Sequence, residues 1–197
     1  MGRPVTGEAP HRTHFGLRMW RAAILHADTY EEVEADRSSI GQATFVVLMA
    51  SLSFALGVWL RVATGSPLPA NALPLPLHLL IVALEPPVLW LVASAFSYMV
   101  GATFFKGPET ETDYAEVLRT TGFAFTPGLL GVLAAVPPGP LGLVLLLGIR
   151  LWILVAAVVA LRQALDFTTL RAIGTFCSGV VLMWLLLWGL SVVELPI

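Results

Sequence analysis

Five apolar stretches constrain this chain more than any other feature, at 40–62, 77–105, 119–136, 141–161 and 173–193. The hydrocarbon core of a bilayer is about 30 Å thick, and a helix crosses it with about 20 apolar residues. Lipid offers the backbone no hydrogen bonds, so a spanning segment must be a helix or part of a closed barrel. The runs are long and continuous rather than alternating, which predicts helices. The first, fourth and fifth have the length of one span. The second is longer and must tilt, kink or leave the bilayer at its ends. The third is the weakest, because Pro127 and Gly128 fall inside it. Composition agrees: 57% of the 197 residues are hydrophobic, 12% are charged, and mean hydropathy is +0.83. A soluble domain carries roughly 25% charged residues. The expected fold is all-α: a polytopic integral membrane protein with five transmembrane helices at 40–193. A cytoplasmic segment at 1–39 precedes them, and a far-side tail follows at 194–197.

Orientation follows from the basic residues. Arg3, Arg12, Arg18, Arg21 and Arg37 precede the first run; Lys106 and Arg119 separate the second and third; Arg162 and Arg171 separate the fourth and fifth. The other side has Arg61 alone, and Arg150 lies inside the fourth run. Positive-inside bias places the amino terminus in the cytoplasm and, after five crossings, the carboxy terminus on the far side of an inner membrane. No apolar segment follows the start closely enough to act as a signal peptide, so the amino-terminal segment is expected to stay on the chain. The far-side loops are short and proline-rich: Pro67, Pro69, Pro74 and Pro76 in one, and Pro137, Pro138 and Pro140 in the other. The net charge of −2 leaves no footprint for nucleic acid. The lone Cys177 sits in an apolar run and is expected to pack there as a small hydrophobe.

Residues 14–25 read as an amphipathic helix. Leu17, Trp20 and Ile24 recur at helical spacing, while Arg18 and Arg21 lie off that stripe. Such a helix lies in the headgroup region, with anionic lipids as partners, or packs on the cytoplasmic ends of the spans. Thr29 with Glu32, and Ser39 with Gln42, have capping-box spacing and mark two further helix starts.

Enzyme signatures are absent. There is no H-E-x-x-H, no phosphate-cradling glycine loop and no G-x-S-x-G. Nothing in the sequence calls for a metal or a cofactor. His11 and His14 read as surface residues, His26 as a local partner of Asp28, and His78 as a far-side end of the second span. Gly174 and Ser178, four apart, permit close helix packing. Two charges stand out. Glu85 lies inside the second run and Arg150 inside the fourth, at matched depth on helices expected to be parallel. A charge at the centre of a membrane helix costs about 2.5–3.5 kcal/mol on insertion scales, so each needs a partner. The pair is either a bridge that fixes helix register or a polar site for a proton, ion or lipid headgroup; Arg61 is the competing partner for Glu85. Pro86, Pro87, Pro127 and Gly128 interrupt helical hydrogen bonding, giving kinked structural helices or a cavity near Glu85. Asp166 is expected to cap locally or to pair with Arg162.

The order of short motifs resembles a known family. YEEVEADRS at 30–38 directly precedes the first run, and GATFFKG at 101–107 closes the second. YAEVLR at 114–119, GFAFTP at 122–127, ALRQALDFT at 160–168 and RAI at 171–173 follow. Together they resemble a bacterial member of the Yip-one (Ypt-interacting protein) domain family, from about residue 20 to residue 193. The resemblance implies five transmembrane helices with a cytoplasmic amino terminus, and it transfers no catalytic residue. Eukaryotic members bind Rab-type GTPases in secretory traffic, but this chain lacks their longer amino-terminal domain. The expected function is a non-enzymatic membrane organiser or adaptor embedded in the lipid bilayer, with a membrane or cytoplasmic protein partner. The alternative is a small transporter or lipid-handling protein working through Glu85 and Arg150.

Overall fold

The structure is a computed structural model that describes residues 14–66, 68, 72–104, 113–135 and 140–193. His11, Arg3, Arg12, Lys106, Glu109, Glu111, Pro67, Pro69, the 137–139 reversal and the 194–197 tail lie outside the described residues. The described residues form seven α-helices, two 3-10 segments and no strand. These are α1 (Phe15–Ala23), α2 (Ala27–Ala35), α3 (Ile40–Ala63), α4 (Leu75–Phe104), α5 (Tyr114–Phe123), α6 (Pro140–Ala164) and α7 (Thr169–Val193). The 3-10 segments are Arg37–Ser39 and Thr126–Ala135.

Helices α3, α4 and α6 are long and apolar enough to cross a membrane. Their outward faces carry an apolar belt that includes Phe45, Leu52, Leu56, Leu80, Leu84, Leu147 and Leu151. Hydroxyls turn inward instead: Ser51, Ser94, Thr120 and Thr121 are all buried and hydrogen-bonded. A polytopic helical membrane protein has this polarity, because lipid welcomes Leu and Phe while a hydroxyl needs a partner inside the bundle.

Helix α4 continues through Pro86 and Pro87. A proline cannot donate to the carbonyl four residues earlier, so Pro87 frees the carbonyl of Ala83. Ser51 Oγ on α3 donates to that carbonyl. The carbonyl of Phe123, the last residue of α5, accepts from Thr126 Oγ1 at 2.7 Å. The carbonyl freed by Pro87 is thus met by a hydroxyl from the neighbouring helix.

The third apolar run departs most from expectation. It is not one helix of span length. α5 ends at Phe123, and Thr126–Ala135 continues as a 3-10 segment. The path still leads along α3. Gly122 lies against Ala43, Gly128 against Ala50, and Gly131 against Phe54. Partners advance together on both segments, so the two run parallel. A 3-10 segment rises about 2.0 Å per residue against 1.5 Å in an α-helix, so ten residues of each cover about 35 Å. Ser53 Oγ donates to the carbonyl of Leu129 at 2.8 Å and accepts from the N–H of Val132 at 3.0 Å. That hydroxyl from α3 supports a backbone form with poor bonding of its own. Glycine is required for the approach: a Cβ on Gly122 would lie 2.7 Å from the Cβ of Ala43.

The amino-terminal helices fold back onto the bundle. We call the end of the bundle that carries α1 and α2 the near side. Arg18, expected off the packed stripe, is 2% exposed. It donates to Glu32, Asp36 and Gln42 at 2.9–3.1 Å. Two acidic partners draw the cation inward, and on the same helix Phe15, Met19 and Ala22 join the apolar core. Leu17, Trp20 and Ile24 face outward, with Trp20 64% exposed. The expected caps also shift. α2 starts at Ala27, two residues before Thr29, and Ser39 Oγ donates to the carbonyl of Val33 instead of capping α3. Helix α6 closes with Asp166 at φ 50°, where the N–H of Phe167 reaches the carbonyl of Arg162 at 2.9 Å. This is a Schellman-type end, and no Asp166–Arg162 ion pair forms among the described residues. Cys177 is exposed rather than packed. Close contact of α7 with α4 runs through Gly179 at Ser97 and Thr175 at Gly101.

Candidate functional site

Glu85 and Arg150 face each other across the gap between α4 and α6. Arg150 Nη1 and Nη2 donate to the two carboxylate oxygens of Glu85 at 2.9 and 2.8 Å. This fork-to-fork geometry is the strongest form of the pair. The Arg150 guanidinium also sits 4.5 Å from the centre of the Phe54 ring, a distance suited to cation–π attraction. Helices α4 and α6 touch little elsewhere; α3, α5 and the 3-10 segment fill most of the space between them. Long side chains rather than helix packing close this gap.

The pair lines a cavity of about 170 Å³ with Phe54, Gly57, Arg61, Val82 and Gly131. Both charged side chains keep part of their surface open, 32% for Arg150 and 44% for Glu85. Arg61 lines the same cavity from α3. Glu85 engages Arg150 rather than Arg61, and no carboxylate among the described residues pairs with Arg61. Pro86 and Pro87 follow Glu85 directly, and Gly128 lies between Ala50 and Ile153 beneath the cavity wall.

A second polar assembly lies on the near side. Arg119 on α5 is 4% exposed. Its Nη2 donates to the backbone carbonyl of Glu34 at 2.6 Å and stands 3.8 Å from Glu116, while its Nε has no partner. Gln163 on α6 donates to Glu31 at 2.6 Å. Together these bonds fasten α2 to α5 and α6. Burial raises the Glu34 carboxyl to about 7, reinforced by Asp166 and Glu116 and opposed by Arg119. Asp36 moves the other way, to about 2, because Ser38 and Arg18 hydrogen-bond its charged form. Burial opposes the charge on Arg18, but its bonds to Asp36 and Glu32 outweigh that and hold its pKa above the ordinary value. Tyr30, fully buried, donates to the carbonyl of Ala22 at 3.0 Å, and burial pushes its hydroxyl up. Trp152 Nε1 donates to the carbonyl of Ala23 at 2.7 Å, tying the last turn of α1 to α6. His26 stands 4.0 Å from Asp28, both exposed.

The Yip1 domain model matches residues 22–191. The chain belongs to the Yip1 domain family. No curated protein and no solved structure matches it. The match begins inside α1 and ends inside α7, so the Yip1 domain covers the Glu85–Arg150 cavity and most of the near-side layer.

Sequence reasoning singled out Glu85 and Arg150 by their charge at depth, but it treated Arg18 and Arg119 as exposed topology markers. A usable signal existed for each. Arg119 follows Glu116 at helical spacing, and Arg18 faces a segment rich in acid, YEEVEAD, that starts twelve residues later. Ser51 and Ser53 gave no warning, because a serine in an apolar run carries no sign of which freed carbonyl it will meet.

Proposed function

We propose that this Yip1 domain is a non-enzymatic organiser or adaptor of a bacterial inner membrane, with its amino terminus in the cytoplasm and its carboxy terminus on the far side. The observation that carries this reading is the built near-side layer. Buried Arg18 and Arg119, the Gln163–Glu31 bond and Tyr30 hold α1 and α2 rigidly on the bundle. A chain that only spanned lipid would have no use for a fixed, acid-rich face carrying Glu31, Asp28 and Asp113. Such a face is preorganised to dock a protein, which lowers the ordering cost of binding. Leu17, Trp20 and Ile24 point away from the bundle and anchor α1 among headgroups.

Two measurements test this. Full-length protein is purified in mild detergent and its stoichiometric protein partners are identified, alongside a Glu31→Lys and Asp28→Lys variant. Loss of a partner in the variant supports the adaptor reading; absence of any stoichiometric partner overturns it. A periplasmic-only reporter fused after Ile197 should be active, as the basic-residue count requires; activity of a cytoplasmic reporter there would reverse the orientation.

A second reading, a small transporter or lipid-handling protein, is favoured by one observation. The Glu85–Arg150 bridge stands in a partly open cavity instead of being sealed by packing. Flux or lipid transfer in liposomes that depends on Arg150 is the outcome that supports it.

A further inference from the structure

We infer that the gap between α4 and α6 is an amphiphile site that takes one phosphate-headed lipid, its headgroup between Arg61 and Arg150 and its tail in a second cavity beneath them. This rests on the lipid-handling reading of the Glu85–Arg150 cavity and names its ligand.

The headgroup end is set by charge. Two guanidinium groups and one carboxylate line the 170 Å³ cavity. The carboxylate is already engaged on both oxygens by Arg150. Arg61 therefore faces the cavity with its charge uncompensated by any carboxylate among the described residues. Arg61 is exposed in the last turn of α3, at the far-side rim of the cavity, where a guanidinium can meet an anionic headgroup. Guanidinium groups present a planar fork that matches phosphate oxygens. Arg61 lies two residues from the end of α3, so the headgroup enters from the far side.

The tail end is set by shape. A cavity of about 230 Å³ begins one helical turn further along both helices, at Leu89 on α4 after Glu85 and at Ile153 on α6 after Arg150. It continues to Ser97 on α4 and Leu161 on α6 and is also lined by Phe125 and Phe176. That is about 12 Å of helix, close to the roughly 15 Å depth of one leaflet. The hydroxyls of Ser94 and Thr121 on its wall bond to each other at 2.8 Å, and the rest of the lining is apolar except for Ser97. A charged cavity followed along α4 and α6 by an apolar one fits a molecule with one anionic end and one hydrocarbon end. A free anion would leave the lower cavity empty, and a fatty chain without phosphate would leave Arg61 unpaired.

The test is native mass spectrometry of the full-length protein in mild detergent. Dioleoyl phosphatidylglycerol and dioleoyl phosphatidylcholine serve as probes, with inorganic phosphate as competitor. The anionic lipid should bind one to one, about tenfold more tightly than the zwitterionic one, the value of one charge-assisted hydrogen bond. Arg61→Gln should remove that preference. Ala157→Phe, or the milder Ala93→Leu, should fill the lower cavity and weaken both lipids alike. Inorganic phosphate at millimolar concentration should not displace the lipid. If Arg61 merely extends to the far interface, Arg61→Gln leaves the preference intact and the headgroup assignment falls. Displacement by phosphate alone, or indifference to both cavity-filling variants, overturns the tail assignment. Binding as described without any lipid transfer between vesicles sinks the handling reading and leaves the site. Transfer without anionic preference sinks the site and leaves the reading.

Discussion

Arg18→Met should detach the amino-terminal helix from the bundle. The Arg18 side chain is 3% exposed and holds the carboxylates of Glu32 and Asp36, themselves 28% and 14% exposed, each at 2.9 Å. Methionine has nearly the same length and fills the same space, so packing is kept while the charge is lost. Two partly buried carboxylates and the Gln42 oxygen are then left facing an apolar side chain. Breaking a buried ion pair from one side costs about 3–5 kcal/mol. Part of that cost is recoverable if α1 swings away and lets water reach the acids. The expected signature is therefore local: lowered thermal stability in mild detergent, together with new proteolytic cleavage between α1 and α3. Arg18→Met combined with Glu32→Gln and Asp36→Asn removes all three charges. It should recover most of the loss, because replacing a whole buried ionic group is often close to neutral. Unchanged melting and cleavage in Arg18→Met would refute the claim that this cation fastens the layer. A triple variant no better than the single would show that packing, not charge, sets the cost.

Four further outcomes are expected. Gly122→Ala should destabilise by about 1–3 kcal/mol through overpacking, since the new methyl meets Ala43 side chain and backbone at 2.7–3.3 Å. Gly148→Ala, with nothing within 4 Å, should gain about 0.5–1 kcal/mol in helix propensity; equal effects at both sites would dismiss close approach as the reason for Gly122. Glu34, held at about 7 against an ordinary 4.5, binds more protons folded than unfolded. Its contribution is fully present below pH 4.5 and is lost as pH rises through 7. Glu34→Gln should flatten that slope and melt higher than the parent at pH 8, and a parallel pH profile would reject the assignment. A variant with Trp20 as its only tryptophan should emit blue-shifted light in vesicles and be quenched by shallow lipid quenchers, whereas a water-like spectrum would rule out headgroup burial.

What the sequence determined alone was the solvent. Continuous apolar runs, 12% charge and a one-sided distribution of arginine leave a helical bundle in lipid as the workable fold, and hydropathy reads that without knowledge of any contact. Composition also marked Glu85 and Arg150, because a charge in an apolar run is conspicuous wherever the helix points. Tertiary structure decided everything that depends on which face meets which neighbour. Arg18 and Arg119 look like Arg37 in a list of basic residues, yet Arg18 is buried against Glu32 and Asp36, Arg119 is buried against the Glu34 carbonyl and Glu116, and Arg37 is exposed. The third apolar run was short for an α-helix; a 3-10 segment lengthens it, and Ser53 on α3 bonds its backbone at Leu129 and Val132. The Glu85–Arg150 pair needed the same kind of information. Matched depth could be counted along the chain, but the distance between α4 and α6 is set by the elements packed around them, and that spacing leaves the two cavities. Periodicity is a property of one helix, whereas a gap belongs to several at once.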